Sequence, residues 1–489
     1  MAAPMESSCL MRTYVIQFAN EHTDFRMAEF KALIDLFSVD IRWQENNIEE
    51  KSPYLLVKSL SEDDVRKIGS RSVLIKNIIE LWGHGSTYSE LNQSLRETDK
   101  DVMDPHFVKE KSFKFELDAF NKKVIQSYKL ERFESLPHDV LAFQGEVNLR
   151  DPDEIFFLME DYGPFGSQAS DNPHHIYFGR RISEGQRDAI RKYNLQSRKF
   201  IANTSMDPGL SLIMANIGQV KKHDLIMDPF VGTGSLLVAC AHHQAYVMGT
   251  DINYLLLHAK GKPSRAKQDK RESDESIHAN LYQYGLRDFY VDAVVGDASK
   301  HHMWRQQPMF DAIITDPPYG VREKAKKVGT DVTDAKLEDD HKIGHVPQKV
   351  DYHLGQIFKD LLNFAAKFLH LGGRVVYWFP VYRRSYKEEN IPTHPCLRRI
   401  ANCEQVLNCR ISRRLITMEK VKPFEKIHES DDAQVEVDHY EEASFRQMYF
   451  HPRRFKGGDS NDLVENGDIG VDPDNLADKI SGTCLTENG

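Results

Sequence analysis

Cysteine is scarce and scattered in this chain. Six occur in 489 residues (Cys9, Cys240, Cys396, Cys403, Cys409 and Cys484), and no two stand in a C-x-x-C pair. That spacing offers neither a disulfide framework nor a structural zinc site. A reducing compartment is therefore expected, and the protein is read as cytoplasmic with no metal centre. Long apolar runs are missing too: none approaches the ~20 residues that a bilayer span requires. The start, MAAPMESSCLMRTYVIQF, lacks the charged-then-apolar layout of a signal peptide. Nor is there an excess of positive charge. Lys and Arg number 64 against 74 Asp and Glu, a net charge of −10, which argues weakly against a nucleic-acid partner. The acidity is uneven, however. Residues 457–489 carry eight acids, one base (Lys479) and no aromatic residue. They read as an acidic disordered tail outside the fold.

What is present divides the chain in two. The length itself predicts two or three domains. RTYVIQF (12–18) and PYLLVKSL (53–60) have the β-branched and aromatic content of strands. Between them Phe30, Leu33, Ile34 and Phe37 share one helical face, with Asp24 as the expected cap. SFKFELDAF (112–120) alternates with period two. This first third reads as α+β and shows no nucleophile–base pair.

From about residue 200 the texture changes. DLIMDPF (224–230), AYVMGTDIN (245–253), VDAVVGDAS (291–299), FDAIITDPPYG (310–320) and GGRVVYWFP (372–380) are short apolar runs, four of them ending in or near a carboxylate. Helix-compatible stretches separate them. Alternating strands and helices predict an α/β Rossmann-like domain with a mostly parallel sheet, and in such sheets ligands bind outside the carboxyl ends of the strands.

DPFVGTGS (228–235) places Gly232 and Gly234 where the first of these strands turns into a helix. No Gly-Lys-Ser/Thr follows, and position 237 is Leu where G-x-G-x-x-G needs glycine. A phosphate cradle is thus disfavoured. Asp251 ends the next strand, where a carboxylate can accept both hydroxyls of a ribose. Asp297 follows the third strand and can accept from an adenine amino group. Each aspartate alone is equally readable as a helix cap, and the Gly-x-Gly as an ordinary tight turn. In register and without a phosphate loop, Asp228, Phe230, Gly232, Gly234, Asp251 and Asp297 describe a site for an adenosine that lacks a pyrophosphate, which S-adenosylmethionine fits. Upstream, Thr204 and Ser205 are candidates for the amino-acid end of that cofactor, or plain helix caps together with Asp207.

TDPPYG (315–320) ends the fourth strand. An exocyclic base amine is a poor nucleophile, because its lone pair is delocalised into the ring. Methylating it calls for acceptors that hold both amine hydrogens. Asp316 supplies a carboxylate, the Pro317 carbonyl a second acceptor, and Tyr319 a flat face for stacking.

These motifs resemble those of the S-adenosylmethionine-dependent amino-methyltransferases, whose catalytic signature is [D/N]-P-P-[YFW]. TSMDPGLSLIMANI, DPFVGTGSLL, DINYLLLHAKGKPSR, ANLYQYGL and TDPPYGVRE together resemble one eukaryotic family, the THUMP-containing enzymes that methylate N2 of guanosine at position 10 of tRNA. FKFELDAF and GEVNLRDPDEIFFLMEDYG (145–163) look like strands of a THUMP module. The resemblance implies an N-terminal ferredoxin-like segment (10–70), a THUMP-like RNA-binding domain (71–170), a basic linker (171–200) and a methyltransferase domain (201–456). It also implies Asp316 as the catalytic residue, tRNA as substrate, and a small zinc-binding activator subunit as partner. Aspartate in the motif does not by itself choose the base. An N6-adenine or other amino-methyltransferase acting on DNA, RNA or protein, and an inactive RNA-binding scaffold, are the alternatives. Three basic stretches are candidate RNA contacts: GRRISEGQRDAIRKYNLQSRK (179–199), LHAKGKPSRAKQDKR (257–271) and HPRRFK (451–456). The charged insert 324–349 is too long for an ordinary βα loop and is either a lid, an RNA contact or a solvated loop.

Overall fold

The computed structural model describes residues 11–44, 52–164, 167–265, 268–321, 325–329, 348–425 and 442–450. The acidic tail, HPRRFK and most of the 324–349 insert lie outside them. In chain order the first half runs β1 (Arg12–Phe18), α1 (Arg26–Phe37), β2 (Ile41–Trp43), β3 (Tyr54–Ser59), α2 (Glu62–Gly69), β4 (Ile75–Gly85), α3 (Tyr88–Glu97), α4 (Lys100–Met103), β5 (Phe113–Phe120), α5 (Gln126–Glu134), β6 (Glu154–Asp161) and β7 (His175–Glu184). Its strands form one seven-stranded sheet in the order β2-β3-β1-β4-β7-β6-β5. Every pairing is antiparallel except β5 with β6. β1 lies inside this sheet, which is why Tyr14, Val15 and Ile16 are all buried although no alternation marks them. Asp24 does not cap α1. It lies in a 3-10 turn that precedes the helix, and its carboxylate accepts from the backbone N–H of Glu404 in the other half.

The second half runs α6 (Asp188–Lys192), α7 (Pro208–Ile217), β8 (Leu225–Asp228), α8 (Ser235–His242), β9 (Tyr246–Asp251), α9 (Tyr254–Leu257), α10 (Ile277–Gln283), β10 (Tyr290–Val295), β11 (Phe310–Thr315), β12 (Lys326–Val328), β13 (Lys349–Asp351), α11 (Leu354–Phe368), β14 (Leu369–Tyr382), β15 (Leu397–Val406), β16 (Ile411–Lys420) and α12 (Glu442–Phe450). The sheet order is β10-β9-β8-β11-β14-β16-β15. β10 to β14 are parallel, as βαβ units require, while the β15–β16 hairpin closes the sheet antiparallel. The fold is thus an α/β Rossmann-like domain with a mostly parallel sheet behind an N-terminal α+β half. β12 and β13, from the ends of the insert, pair as a separate two-stranded ribbon.

α7 joins the halves. Asp207 caps it through the Leu210 N–H, Pro208 occupies its first turn, and all ten of its residues are buried. A polar tie crosses the same boundary. The fully buried Glu29 carboxylate accepts from Ser72 Oγ, from the Val73 and Leu74 N–H groups, and from Asn216 Nδ2 on α7 at 2.7 Å. Arg71 completes it, donating to Asn216 Oδ1 at 2.8 Å and to the Val220 carbonyl at 2.6 Å. One apolar core, from Phe30 and Ile68 to Leu212 and Leu237, continues through both halves.

Candidate active site

The four strand ends that carry carboxylates lie side by side. After β8 the chain turns at Gly232 (φ +51°) and Gly234 (φ +77°) before entering α8. A Cβ on Gly232 would meet no atom within 4 Å, whereas one on Gly234 would sit 2.8 Å from Ile277 Cγ2. The first glycine faces open space and the second packs closely on α10. Asp251, at the end of β9, accepts the Gly232 N–H at 3.0 Å and the Asn253 N–H at 2.8 Å. Burial pushes its carboxyl above the ordinary value.

Asp228 is held more firmly. It is 2% exposed, and its Oδ1 accepts from Thr315 Oγ at 2.6 Å and from the Phe230 N–H at 3.0 Å. Burial, with Asp251 and Asp316 nearby, lifts its carboxyl to about 7. It therefore locks the end of β8 to the end of β11, immediately before the TDPPYG turn. Asp297 is likewise engaged by backbone: Oδ1 accepts from Ser299 N–H, and Oδ2 from Val328 N–H at 2.7 Å. The second contact lays the β12–β13 ribbon across the ends of β9 and β10, and Lys349 Nζ donates to the Ile252 carbonyl at 2.8 Å. Ser205 Oγ shares a hydrogen bond with Thr233 Oγ1 at 2.7 Å, which brings the loop before α7 onto the glycine turn. Thr204 is exposed, and Phe230 is half-buried against a second apolar cluster that includes Ile313, Phe358 and Tyr377.

In the TDPPYG turn Pro317 is buried while Asp316 and Tyr319 are half-buried. The Tyr319 ring stands edge-on to Phe445 of α12, 6.4 Å between centroids, and burial pushes its hydroxyl up to about 12. Nothing in the sequence marked the next neighbour. Arg413 of β16 puts Nη1 3.4 Å from Asp316 Oδ2 and 3.4 Å from Tyr319 Oη. Burial alone would lower the guanidinium's proton affinity, but Tyr319 and Asp316 more than offset that, so it stays charged. The arrangement is an acceptor carboxylate and an aromatic face, fixed by a cation, beside a glycine turn and a row of carboxylates. It can hold an amine against a ligand lying across β8, β9 and β10.

Several bases of the two described basic stretches, 179–199 and 257–271, are held by carboxylates or backbone. Arg180 is buried, with Glu62 at 2.5 Å, Glu80 at 3.1 Å and Glu154 at 3.7 Å. Arg198 is buried on Ser235 Oγ, and Arg181, Arg187, Arg191 and Lys199 pair with Glu184, Glu21, Asp188 and Asp274. In 257–271, Arg271 is spent on Glu275 and on the carbonyls of Gly261 and Lys262. Arg180, Arg198 and Arg271 therefore serve the fold, while Arg191 and Lys199 sit in exposed pairs.

Two family models match the chain: "Tmrp11 THUMP N-terminal domain" over residues 12–187, and "RMKL-like, methyltransferase domain" over 196–343. Curated relatives match nearly all of it. The tRNA (guanine(10)-N(2))-methyltransferase TRMT11 of Homo sapiens is 47% identical over 453 residues, 91% of this chain and 96% of that protein. The Xenopus laevis protein of that name is 47% identical over 87% of this chain and 88% of its own length. That of Dictyostelium discoideum is 36% identical over 86% and 84%.

Proposed function

We propose a reaction on the premise that this chain belongs to the tRNA (guanine(10)-N(2))-methyltransferase family. It transfers a methyl group from S-adenosylmethionine to the exocyclic N2 of guanosine 10 in tRNA. When bound, S-adenosylmethionine supplies an electrophilic methyl on a sulfonium centre. The residues present fit it: the turn at Gly232 opens onto free space, and carboxylates rather than a phosphate-binding loop line the strand ends. Asp251 takes the ribose hydroxyls, Asp297 offers its remaining lone pairs to the adenine amine, and Phe230, Gly232 and Gly234 form the floor. Ser205 and Thr204 face the amino-acid end, and Asp228 keeps the site's two central strand ends together.

The observation that carries the reading is the Asp316-Pro317-Pro318-Tyr319 turn at the end of β11, next to that floor. Asp316 and the Pro317 carbonyl accept the two amine hydrogens, which draws the nitrogen toward sp³ geometry and turns its lone pair to the methyl. Tyr319 stacks on the base. Placing the two reacting atoms in line contributes much of the acceleration. The domain limits proposed are ferredoxin-like 10–70, THUMP-like 71–170, linker 171–200 and methyltransferase 201–456, although β7 (His175–Glu184), within the linker span, pairs with β4 and β6 of the N-terminal sheet.

The proposal includes the small zinc-binding activator subunit as partner and the cytoplasm as location. Among the described residues β10 is an edge strand paired only with β9, and Val291, Val294 and Val295 are 52%, 37% and 45% exposed. A free apolar edge is a strand-pairing template that a partner covers. Among the described residues no helix is long and apolar enough to cross a membrane.

The test is methyl transfer from labelled S-adenosylmethionine to unmodified tRNA with the activator added, wild type beside Asp316→Ala, followed by digestion to nucleosides. N2-methylguanosine that disappears in the variant supports the reading. Label on adenosine, or on DNA or protein alone, overturns it.

A further inference from the structure

We propose that Arg413 is a positioning residue, which aims the Asp316 carboxylate and the Tyr319 ring at the base; the inference rests on the reading of function above. The argument starts from how the other strand-end carboxylates are held. Asp228, Asp251 and Asp297 each direct one oxygen to the backbone N–H two residues on, at Phe230, Asn253 and Ser299. This is the ordinary local turn of an aspartate. Asp316 lacks that anchor, because the residue two places on is Pro318, and Pro317 has no N–H either. Neither proline can supply the backbone donor that the other three aspartates use.

Arg413 reaches the carboxylate from β16, two strands away across the sheet. Its guanidinium is itself fixed from three sides. Nη1 faces Asp316 and Tyr319, each at 3.4 Å, and Nε donates to Gln405 Oε1 at 2.6 Å. The plane lies 3.9 Å from the ring centre of the fully buried Trp378. Trp378 in turn packs on Phe25 of the N-terminal half, 5.9 Å between centroids. A planar fork with several donors and no acceptor suits this task, since its donors sit in a fixed plane and it holds two oxygens at once. At 3.4 Å the contact is longer than a tight charge-assisted bond, so it directs the carboxylate without the hold of a close ion pair.

The experiment compares wild type, Arg413→Ala, Arg413→Lys and Gln405→Ala, with the activator present, for kcat, KM for tRNA and S-adenosylmethionine affinity. Arg413→Ala is expected to lose on the order of 10²-fold in kcat, the cost of a misplaced reacting group, with KM and cofactor affinity little changed. Added methylguanidine should restore part of the rate. Arg413→Lys should recover little, and Gln405→Ala should lose a few-fold in kcat alone. A wild-type kcat in Arg413→Ala overturns the inference, as does a loss that appears in KM for tRNA, which marks a phosphate contact instead. If Arg413→Ala does not fold, Gln405→Ala decides, and an unchanged kcat there overturns it. Wild type that makes no N2-methylguanosine would sink the reading of function and this inference together. Wild type and Arg413→Ala making it equally fast would sink this inference alone.

Discussion

Replacing either glycine of the β8–α8 turn by alanine separates cofactor contact from folding. Both have positive φ, +51° at Gly232 and +77° at Gly234, so either side chain carries a left-handed cost of about 1–2 kcal/mol. At Gly232 nothing else is added, because a Cβ meets no atom within 4 Å. At Gly234 the Cβ lies 2.8 Å from Ile277 Cγ2, and overpacking of this kind adds about 1–3 kcal/mol. At roughly 2–4 °C per kcal/mol for a domain of this size, Gly232→Ala should lower Tm by a few degrees and Gly234→Ala by about twice as much. Affinity should follow a different order. On the proposed reading the open space at Gly232 is the approach of the cofactor, so its new methyl group should weaken S-adenosylmethionine binding by about tenfold or more, equivalent to ~1.4 kcal/mol. Thermal melts without ligand and calorimetric titration of S-adenosylmethionine read the two effects separately. Unchanged affinity in Gly232→Ala would refute the placement of the cofactor on this turn. Equal Tm losses in the two variants would refute the packing argument.

Other expectations concern charge and the free edge. Asp228 has a folded pKa of about 7, above its unfolded value, so its contribution to stability is fully present below the unfolded pKa and is lost as pH rises through about 7. Asp228→Asn keeps an Oδ1 acceptor for Thr315 and Phe230, so its Tm should decline less than wild type's between about pH 5 and pH 8, and equal declines would count against the buried carboxylate. Arg180→Ala removes the cation shared by Glu62, Glu80 and Glu154, but Glu80 keeps Arg12 and Glu154 keeps Lys111, so the cost in chemical denaturation should stay at or below about 3 kcal/mol. Wild-type stability with weakened tRNA binding would return Arg180 to the RNA contacts. Val294→Asp on the edge of β10 should abolish co-purification with the activator while leaving Tm within a degree or two; retained complex would move the partner elsewhere.

The strand ends were legible in the sequence because their chemistry is local. Four of the five apolar runs close on a carboxylate within a residue or two, and after β8 and β11 the turn that follows is written in glycine or proline. The strands read at 12–18, 53–60 and 112–120 correspond to β1, β3 and β5, because β-branched content and period-two alternation are local signals as well. Long-range pairing was not legible. Arg180 reads as part of a basic connector, yet its partner Glu80 lies 100 residues away. Arg413 stands in ISRRLITMEK, a stretch with no motif, and meets Asp316 across 97 residues. Asp24 reads as a cap from its neighbours alone, but its oxygen serves Glu404, 380 residues on. Acid–base pairing of this kind depends on sheet order, and periodicity carries no information about that.

The central claim is that Asp316 and its turn present one exocyclic amine, N2 of guanosine 10, to the methyl donor. The most direct measurement uses two tRNAs that differ at one atom group, with guanosine or inosine at position 10, since inosine is guanosine without the N2 amine. The account predicts incorporation of labelled methyl into the guanosine tRNA as N2-methylguanosine and none into the inosine tRNA. Equal incorporation into both would contradict it.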